Sequence, residues 1–320
     1  MTGTLLTALG RLAASAAHPA GPPDRACACA CAAGVLADRA DGTVVRHGRL
    51  VAKAHAPDSD PVALAVRVAV AAHPALTGIL LPPLTPAAGA VAGRPGSVWP
   101  LGLPVDPERP EAAPWEEAAR LLARLHAVPA GRLTGPLPPM RGPLKAARAM
   151  ARMRAAAPHP ATQDVERAWA TLPAWARAEA PHPTARTLCH GDLHLGQLVR
   201  HPAPEGPWLL IDVDDLGLGD PAWDLARPAA WFAAGLLAPE IWHRFLTAYR
   251  TAGGSAVPEH DDPWPALDVP ARALTAQTAA LAIAKAATGQ RPLDEDELLM
   301  TAACARIAAH LPRPADDVAQ

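Results

Sequence analysis

The 320-residue chain has almost no excess of either charge, with 29 Lys and Arg residues against 31 Asp and Glu residues. A nucleic-acid-binding protein normally carries a basic face that neutralises phosphates, so this balance argues against that class. The hydrophobic residues form no uninterrupted run of the ~18 residues that a membrane-spanning helix needs. We therefore expect a soluble protein that binds a small molecule, with neither nucleic acid nor membrane as a partner. Its oligomeric state does not follow from the sequence.

Five cysteines are an odd number in a long chain and do not suggest a disulfide framework. Residues 1–20 lack the basic start and the solid apolar middle of a secretion signal, so we expect a cytoplasmic protein with reduced thiols. Cys27, Cys29 and Cys31 alternate with Ala and would share one face of a strand. Small apolar packing is the simpler interpretation of these three, and a soft-metal or redox site is the alternative.

Turn residues near the N-terminus predict a small sheet. Asp41-Gly42 and His47-Gly48 suit tight hairpin turns between segments that contain β-branched residues. Strands are predicted over residues 35–38, 43–47, 50–54, 77–81 and 97–101. A helix predicted over residues 61–72 would pack on this sheet, with Pro61 in its first turn.

After the Pro-rich stretch that ends at Pro114, the apolar residues recur at helical spacing. Helices are predicted over residues 115–127, 144–157, 163–172, 238–251, 271–287 and 295–310. One hairpin, formed by residues 198–199 and 208–211, interrupts them. The chain is thus predicted to form an N-terminal lobe over residues 1–104, a linker over 105–114, and a helical lobe over 115–320.

The residues that indicate chemistry lie around this hairpin. Asp192 begins a loop, Gln197 follows five residues later, and Asp212 ends the next strand. Magnesium prefers hard oxygen ligands and commonly takes one or two carboxylates together with nucleotide phosphates. The two acids and the amide therefore predict a magnesium site that serves phosphate chemistry.

The same segment resembles the aminoglycoside phosphotransferase family, small-molecule kinases that share the protein-kinase fold. The family's catalytic loop reads His-Gly-Asp, four residues, then Asn, and is followed by Ile-Asp and later by Gly-Asp-Pro and another Asp. The corresponding residues here are His190, Gly191, Asp192, Gln197, Ile211, Asp212, Gly219, Asp220, Pro221 and Asp224. Residues 50–53 also resemble the family's lysine strand, and residues 119–126 the helix that opens its helical lobe.

This resemblance implies an α+β, protein-kinase-like bilobal fold, with a small N-terminal antiparallel sheet lobe that binds nucleotide and a larger, mainly helical C-terminal lobe. It implies that Asp192 is the catalytic carboxylate, which accepts or orients the proton of the acceptor hydroxyl. Asp212 would be the principal ligand of Mg²⁺ and Gln197 a second one. Lys53 would hold the α and β phosphates of ATP, with GTP as the alternative nucleotide.

Three further residues are implied to support the catalytic loop. His190 and Gly191 would shape it, and Asp224 would brace it by accepting backbone hydrogen bonds. The implied reaction moves the γ-phosphate to a hydroxyl of a small molecule such as an aminoglycoside, a sugar or an amino alcohol. The alternative is a catalytically weak or inactive nucleotide-binding pseudokinase. A protein kinase fits less well, because Gly191 stands where protein kinases have Arg and no Asp-Phe-Gly triplet follows.

The chain departs from the family pattern in three ways that favour the pseudokinase, and the first is that the loop over residues 39–43 holds a single glycine. Gln197 replaces Asn, which moves the amide oxygen by roughly 1.5 Å, although maltokinase-like sugar kinases share the ending His-x-Gly-Gln. The predicted helix over residues 61–72 offers no acid to pair with Lys53, so Asp58 and Asp60 at its start are the local candidates. An ordinary surface position is the alternative interpretation of Lys53.

Structural interpretations also exist for several other residues. His126 is expected to pack, His194 to be structural, and Trp99 to be a core residue rather than part of an adenine pocket. An acidic patch could recognise the acceptor or form a solvated loop, and it consists of Glu259, Asp261, Asp262 and Asp268.

Overall fold

The structure is a computed structural model that describes residues 2–19, 31–39, 41–85, 89–133 and 135–309. A small lobe with an antiparallel sheet precedes a larger, mainly helical lobe, so the predicted α+β architecture is confirmed. Cys27 and Cys29 lie outside the described residues, and their predicted strand face is not tested. Among the described helices, none is long and apolar enough to cross a membrane.

The N-terminal lobe is a five-stranded antiparallel sheet covered by a helix. Helix α1 (Thr2–Ala17) buries Leu9 and Ala13 against the sheet. The strands are β1 (Ala33–Arg39), β2 (Gly42–His47), β3 (Leu50–His55), β4 (Gly89–Val91) and β5 (Arg94–Pro100), in the order β1-β2-β3-β5-β4. Helix α2 (Pro61–Ala71) follows β3, and Asp60 caps its first turn.

Two local expectations for this lobe differ from the structure. The prediction of a strand over residues 77–81 is wrong. Gly78 has a φ of +73°, which interrupts the extended backbone, and within this segment only Leu80 forms a β-bridge, with Leu210. Helix α1 was not predicted, because Gly3 and Gly10 weaken its apolar pattern. Its stability comes from burial on the sheet rather than from helix propensity.

The helical lobe contains α3 (Trp115–His126), α4 (Gly142–Ala155), α5 (Thr162–Ala170), α6 (Ala222–Ala234), α7 (Pro239–Thr251), α8 (Trp264–Gly289) and α9 (Glu295–Ala309). Helix α8 packs against α4, α5, α6 and α9. Helix α6 was not predicted, and it continues across Pro228 because most of its residues are buried in the core of the lobe. Helix α8 begins seven residues before its predicted start at residue 271, and Pro270 lies within it.

Short strands carry the catalytic segment. Strand β6 (Leu103–Pro104) pairs with β8 (Leu198–Arg200), which forms the predicted hairpin with β9 (Trp208–Leu210). Strand β7 (Thr187–Cys189) pairs with β10 (Gly217–Gly219). The end of the predicted N-terminal lobe therefore joins the sheet of the helical lobe, and the exact division of the chain stays a prediction.

Candidate active site

Strand β7 leads directly into the predicted catalytic loop, which a buried carboxylate braces. Asp224, at the start of α6, accepts the backbone N–H groups of His190 at 2.6 Å and Gly191 at 2.7 Å. His126 donates to the same carboxylate at 3.0 Å, and the Tyr249 hydroxyl lies 2.8 Å from the other ring nitrogen of His126. The loop thus rests on a chain of hydrogen bonds that ties α3, α6 and α7 together.

Two residues of the loop fix its shape. Gly191 has a φ of +87°, and a Cβ at this position would lie 2.4 Å from the backbone oxygen of Asp215. Only glycine can therefore occupy the position without moving the backbone. His190 donates from Nε2 to the carbonyl of Ile211 at 2.8 Å, which connects the loop to the end of β9.

Asp192 is held by two cations, one on each carboxylate oxygen. Lys145 Nζ lies 2.5 Å from Oδ2, and an Arg227 nitrogen lies 2.8 Å from Oδ1. Burial alone would raise the pKa of Asp192, but the charges of Lys145 and Arg227 outweigh it and hold the pKa below its ordinary value. The carboxylate therefore stays ionised at neutral pH.

Lys145, on α4, bridges two acids of the site. Its Nζ also donates to Asp215 at 2.9 Å, and these carboxylates raise its pKa although burial alone would lower it. The chain has only three lysines, and Lys53 and Lys145 both lie in this site. Arg is the common cation elsewhere in the chain, so the use of Lys at this position is informative. The compact ammonium group fits the space between two closely placed carboxylates.

Lys53, on β3, points into the cleft and is not an ordinary surface residue. Its side chain is only 14% exposed, and Nζ lies 2.7 Å from Asp212 and 3.2 Å from Asp214. His55, two residues further along β3, contacts Asp214 at 2.7 Å. Burial alone would lower the pKa of Lys53, but the two carboxylates outweigh it and raise the pKa above its ordinary value.

The acids expected to pair with Lys53 have other partners. Asp60 accepts backbone N–H groups as the cap of α2, and Asp58 pairs with Arg148 at 2.9 Å. Helix α2 instead contributes Arg67, which is buried and donates to the carbonyl of Leu216 at 2.7 Å. The helix is thus anchored to the backbone that follows Asp212, Asp214 and Asp215 rather than to Lys53.

Asp212 follows Ile211, the residue whose backbone pairs with that of Gln197 at the end of the hairpin. Gln197 is buried, and its backbone carbonyl accepts the N–H of Ile211 at 2.9 Å. Asp212 adopts the left-handed conformation, with a φ of +65°, and its side chain remains 34% exposed. A partly exposed carboxylate together with a carboxamide is a hard-oxygen donor set, and these residues fit Mg²⁺.

The match to known proteins agrees with this geometry. The Phosphotransferase enzyme family (APH) matches residues 43–264, more than half of the chain. The chain belongs to this family. No curated protein sequence matches it significantly. Family membership supports a small-molecule phosphotransferase.

Solved structures show that the chain shares the fold of its family. A choline/ethanolamine kinase family protein from Mesorhizobium loti is 17% identical with a TM-score of 0.57, over 93% of this chain and 94% of that one. A thermostable mutant of aminoglycoside phosphotransferase APH(4)-Ia is 16% identical with a TM-score of 0.58, over 87% and 94%. Spectinomycin phosphotransferase APH(9)-Ia, solved with ADP and spectinomycin, is 12% identical with a TM-score of 0.54, over 87% and 92%.

Residues with a structural interpretation do pack within this phosphotransferase. Trp99 and His126 are 9% and 7% exposed, so the expectation of core packing is confirmed for both. His194 accepts the backbone N–H of Gly196 at 3.1 Å and so helps to shape the turn after Asp192. Burial lowers the pKa of His194 to about 4, which keeps its ring neutral.

A small apolar hollow lies beside the catalytic loop. Its walls include Trp115 from α3 and Trp231 from α6, whose rings meet edge to face with centroids 6.4 Å apart. Leu193, Leu195 and Arg227 complete the lining nearest to Asp192. The hollow has room for little more than a water molecule, and Trp231 is its partly exposed aromatic wall.

The sequence analysis missed several charged residues of the site, which are His55, Lys145, Asp214, Asp215 and Arg227. Two signals point to them. Asp214 and Asp215 follow Asp212, the predicted metal ligand, within three residues, and Lys145 is one of only three lysines. In the acidic patch, Asp268 pairs with Arg272 on the surface, and both interpretations of the patch, acceptor recognition and a solvated loop, stay predictions.

Replacing Lys145 by Met should move the acidic limb of the pH profile to higher pH. Without the ammonium, burial raises the pKa of Asp192 with only Arg227 opposing it, so the carboxylate becomes protonated at a higher pH than in the wild type. We expect the pH at which kcat/KM falls to half of its plateau value to be at least ~1 unit higher in the variant than in the wild type. A shift of one unit corresponds to about 1.4 kcal/mol. Lys285→Met, which removes the exposed third lysine on α8, should leave the profile unchanged. Identical profiles for all three proteins would contradict the role of Lys145.

Proposed function

We propose that this phosphotransferase is a cytoplasmic kinase that moves the γ-phosphate of ATP, with GTP as the alternative, to a hydroxyl of a small molecule. The observation that carries the proposal is the pair of carboxylates, Asp192 and Asp212, each held in the cleft by a lysine. Catalysis of phosphoryl transfer depends mainly on positioning and on charge neutralisation. The fixed cations and acids of this cleft supply both.

Asp192 orients the acceptor hydroxyl in this proposal. A carboxylate has about four lone-pair positions, and Lys145 and Arg227 occupy one on each oxygen. The remaining positions can accept a hydrogen bond from the substrate hydroxyl. Because the pKa of Asp192 is lowered, the group is a weak base, and it suits a loose transition state in which the proton leaves late.

Asp212 and Gln197 would hold Mg²⁺, which when bound neutralises charge on the transferred phosphoryl group. Lys53 would bind the α and β phosphates. It is prepared for this role because its ammonium is held by Asp212 and Asp214 and keeps its charge. The conformation of the catalytic loop would be stabilised by Asp224, His190 and Gly191, without contact to the substrate.

The charges next to Asp192 favour a neutral, sugar-like acceptor. Lys145 and Arg227 would repel a polycationic aminoglycoside or an amino alcohol whose ammonium approached the catalytic carboxylate. Trp231, which is partly exposed and lines this hollow together with Arg227, offers aromatic surface that can lie against the apolar face of a sugar ring. The acceptor is therefore expected to be bound by aromatic contacts and hydrogen bonds rather than by ion pairs.

One observation favours a pseudokinase as the second candidate function. Both oxygens of Asp192 are engaged by cations, and Gln197 stands at the position of the usual Asn. A chain that binds nucleotide without transferring phosphate would tolerate both features. Phosphoryl transfer itself separates the two candidates.

The test is a turnover assay with ATP or GTP, with and without chelation of Mg²⁺, across neutral sugars, amino alcohols and aminoglycosides. We expect phosphorylation of a neutral sugar by the wild type, and its loss on chelation and in Asp212→Asn. Asp296→Asn, which alters an exposed acid on α9, is the matched control and should retain activity. Nucleotide binding without transfer to any acceptor would support the pseudokinase, and transfer only to aminoglycosides would contradict the acceptor class alone.

A further inference from the structure

Two histidines and a cysteine from three separate segments meet beside the N-terminal sheet. His18 follows α1, Cys31 precedes β1, and His47 ends β2. Their ligand atoms all lie within 4.8 Å of one another. None of these residues takes part in the proposed phosphoryl transfer, so the group requires a separate explanation.

The strand register explains why Cys31 lies near His47. Ala33 pairs with His47 across β1 and β2, and the ladder continues beyond the strand with a 2.8 Å hydrogen bond from Gly48 to Ala32. Since alternate residues of an extended chain face the same side, Cys31 lies on the side of Ala33 and His47. The hairpin turn and the end of α1 thus bring the three side chains together.

The distances suit a shared metal ion. Sγ of Cys31 and Nε2 of His18 are 3.5 Å apart, and tetrahedral zinc with ordinary bond lengths separates a sulfur and a nitrogen ligand by about 3.6 Å. The ring centres of His18 and His47 are 5.5 Å apart, and two imidazoles on one zinc ion place their centres roughly 5 Å apart. Small side-chain rotations would therefore complete the coordination.

The environment of the group also suits an ion from solution. His47 is 7% exposed, whereas His18 and Cys31 are partly exposed. One ligand is thus held rigidly by the sheet, and the other two leave a route of entry. Imidazole and thiolate ligands together are typical of zinc and other borderline-soft divalent cations, not of magnesium.

A second group of potential ligands in the helical lobe does not offer such a site. His126, Cys189 and Asp224 are all buried, and His126 and Asp224 are engaged in the hydrogen bonds that brace the catalytic loop. Burial raises the pKa of Cys189, which disfavours the thiolate that a metal needs. The group beside the N-terminal sheet is therefore the better candidate.

We infer that His18, Cys31 and His47 bind a zinc-class divalent cation that fastens the end of α1 to the hairpin of β1 and β2. Binding would displace the thiol proton of Cys31 to solvent and form a metal–thiolate bond, with a nitrogen of each imidazole as a further ligand. The site would stabilise the lobe that carries Lys53, because α1 and the sheet share one small apolar core.

The test uses Co²⁺ as a spectroscopic probe on the full, reduced chain. We expect one equivalent of Co²⁺ to bind, with a thiolate-to-metal charge-transfer absorption that Zn²⁺ abolishes by displacement. Cys27 and Cys29 are four and two residues from Cys31, so both are first replaced by Ser to remove them as competing ligands. The absorption should persist in this double variant and disappear when Cys31→Ser is added.

Affinity and stability give two independent readouts. In the double variant, His18→Ala should weaken binding by more than the ~10–100-fold that loss of an outer-shell partner costs, whereas His260→Ala, at an exposed histidine, should have no effect. Zn²⁺ should raise the thermal unfolding midpoint of the double variant but not that of the form lacking Cys31. Absence of the thiolate absorption in the wild type, or its persistence after Cys31→Ser, would overturn the inference.

Discussion

Replacing Asp192 by Asn should lower kcat by about 10²–10⁴-fold, the usual contribution of a positioned acid–base group. The amide keeps the shape of the side chain but removes the negative charge that orients the acceptor hydroxyl. Nucleotide affinity should stay close to that of the wild type, because Lys53, proposed to hold the phosphates, and Asp212, proposed to hold Mg²⁺, form a separate ion pair. Single-turnover kinetics and nucleotide titration together measure both effects.

The fold should survive this substitution, which makes the kinetic result interpretable. Lys145 retains Asp215 as a partner at 2.9 Å, and Arg227 retains the backbone carbonyl of Leu193 at 3.0 Å. Asp296→Asn, on the exposed start of α9, is the matched control for removal of a carboxylate. A variant at position 192 with a kcat within a few-fold of the wild type would show that another group orients the acceptor.

The two lysines of the site connect different parts of the protein. Lys53 reaches from the sheet lobe to Asp212 and Asp214, whereas Lys145 reaches from α4 to Asp192 and Asp215. Each lobe thus supplies a lysine that pairs with two of the four acids. Because each of the four neighbouring carboxylates contacts a lysine, the cleft carries no large excess of negative charge. This balance favours the approach of nucleotide phosphates.

The sequence predicted the parts of this arrangement that depend on neighbouring residues. The hairpin turns at Gly42 and Gly48 predicted the strands that carry Lys53, and the resemblance of the segment from His190 to Asp224 to the family motif implied the loop and its brace. Both rest on patterns that span a few residues or on a motif of about thirty-five residues. Such features can be predicted because they depend on neighbouring residues or belong to one continuous motif.

The partners of the charged groups could not be predicted in the same way. Lys53 and Asp212 are 159 positions apart, and Lys145 and Asp192 are 47 apart. No local pattern encodes such pairs, since they depend on how the lobes and helices pack. The sequence therefore places the expected partner of Lys53 near the following helix, α2. In the structure, Arg67 of that helix binds the carbonyl of Leu216, and Lys53 pairs with Asp212 and Asp214. Helix α6 was missed for a related reason, because burial outweighs the local effect of Pro228.

Replacing Asp224 by Ala should destabilise the protein by about 3–5 kcal/mol, because three buried hydrogen-bond donors lose their common acceptor. The carboxylate is 1% exposed and accepts the backbone N–H groups of His190 and Gly191 together with the ring N–H of His126. Each buried donor left without an acceptor costs about 1–3 kcal/mol. Chemical denaturation followed by circular dichroism measures the free energy of unfolding.

Two comparisons separate this effect from a general loss of charge. Asp164→Ala removes a surface acid that pairs with Arg167, and it should cost no more than ~1 kcal/mol. Asp224→Asn keeps one acceptor oxygen but turns an amide N–H₂ toward a donor, so its stability should lie between those of the wild type and Asp224→Ala.

Both variants at position 224 should also lose kcat, because the loop that carries Asp192 loses its support. A free energy of unfolding for Asp224→Ala within ~1 kcal/mol of the wild type would show that the loop is held by its sheet contacts alone, through the pairing of β7 with β10.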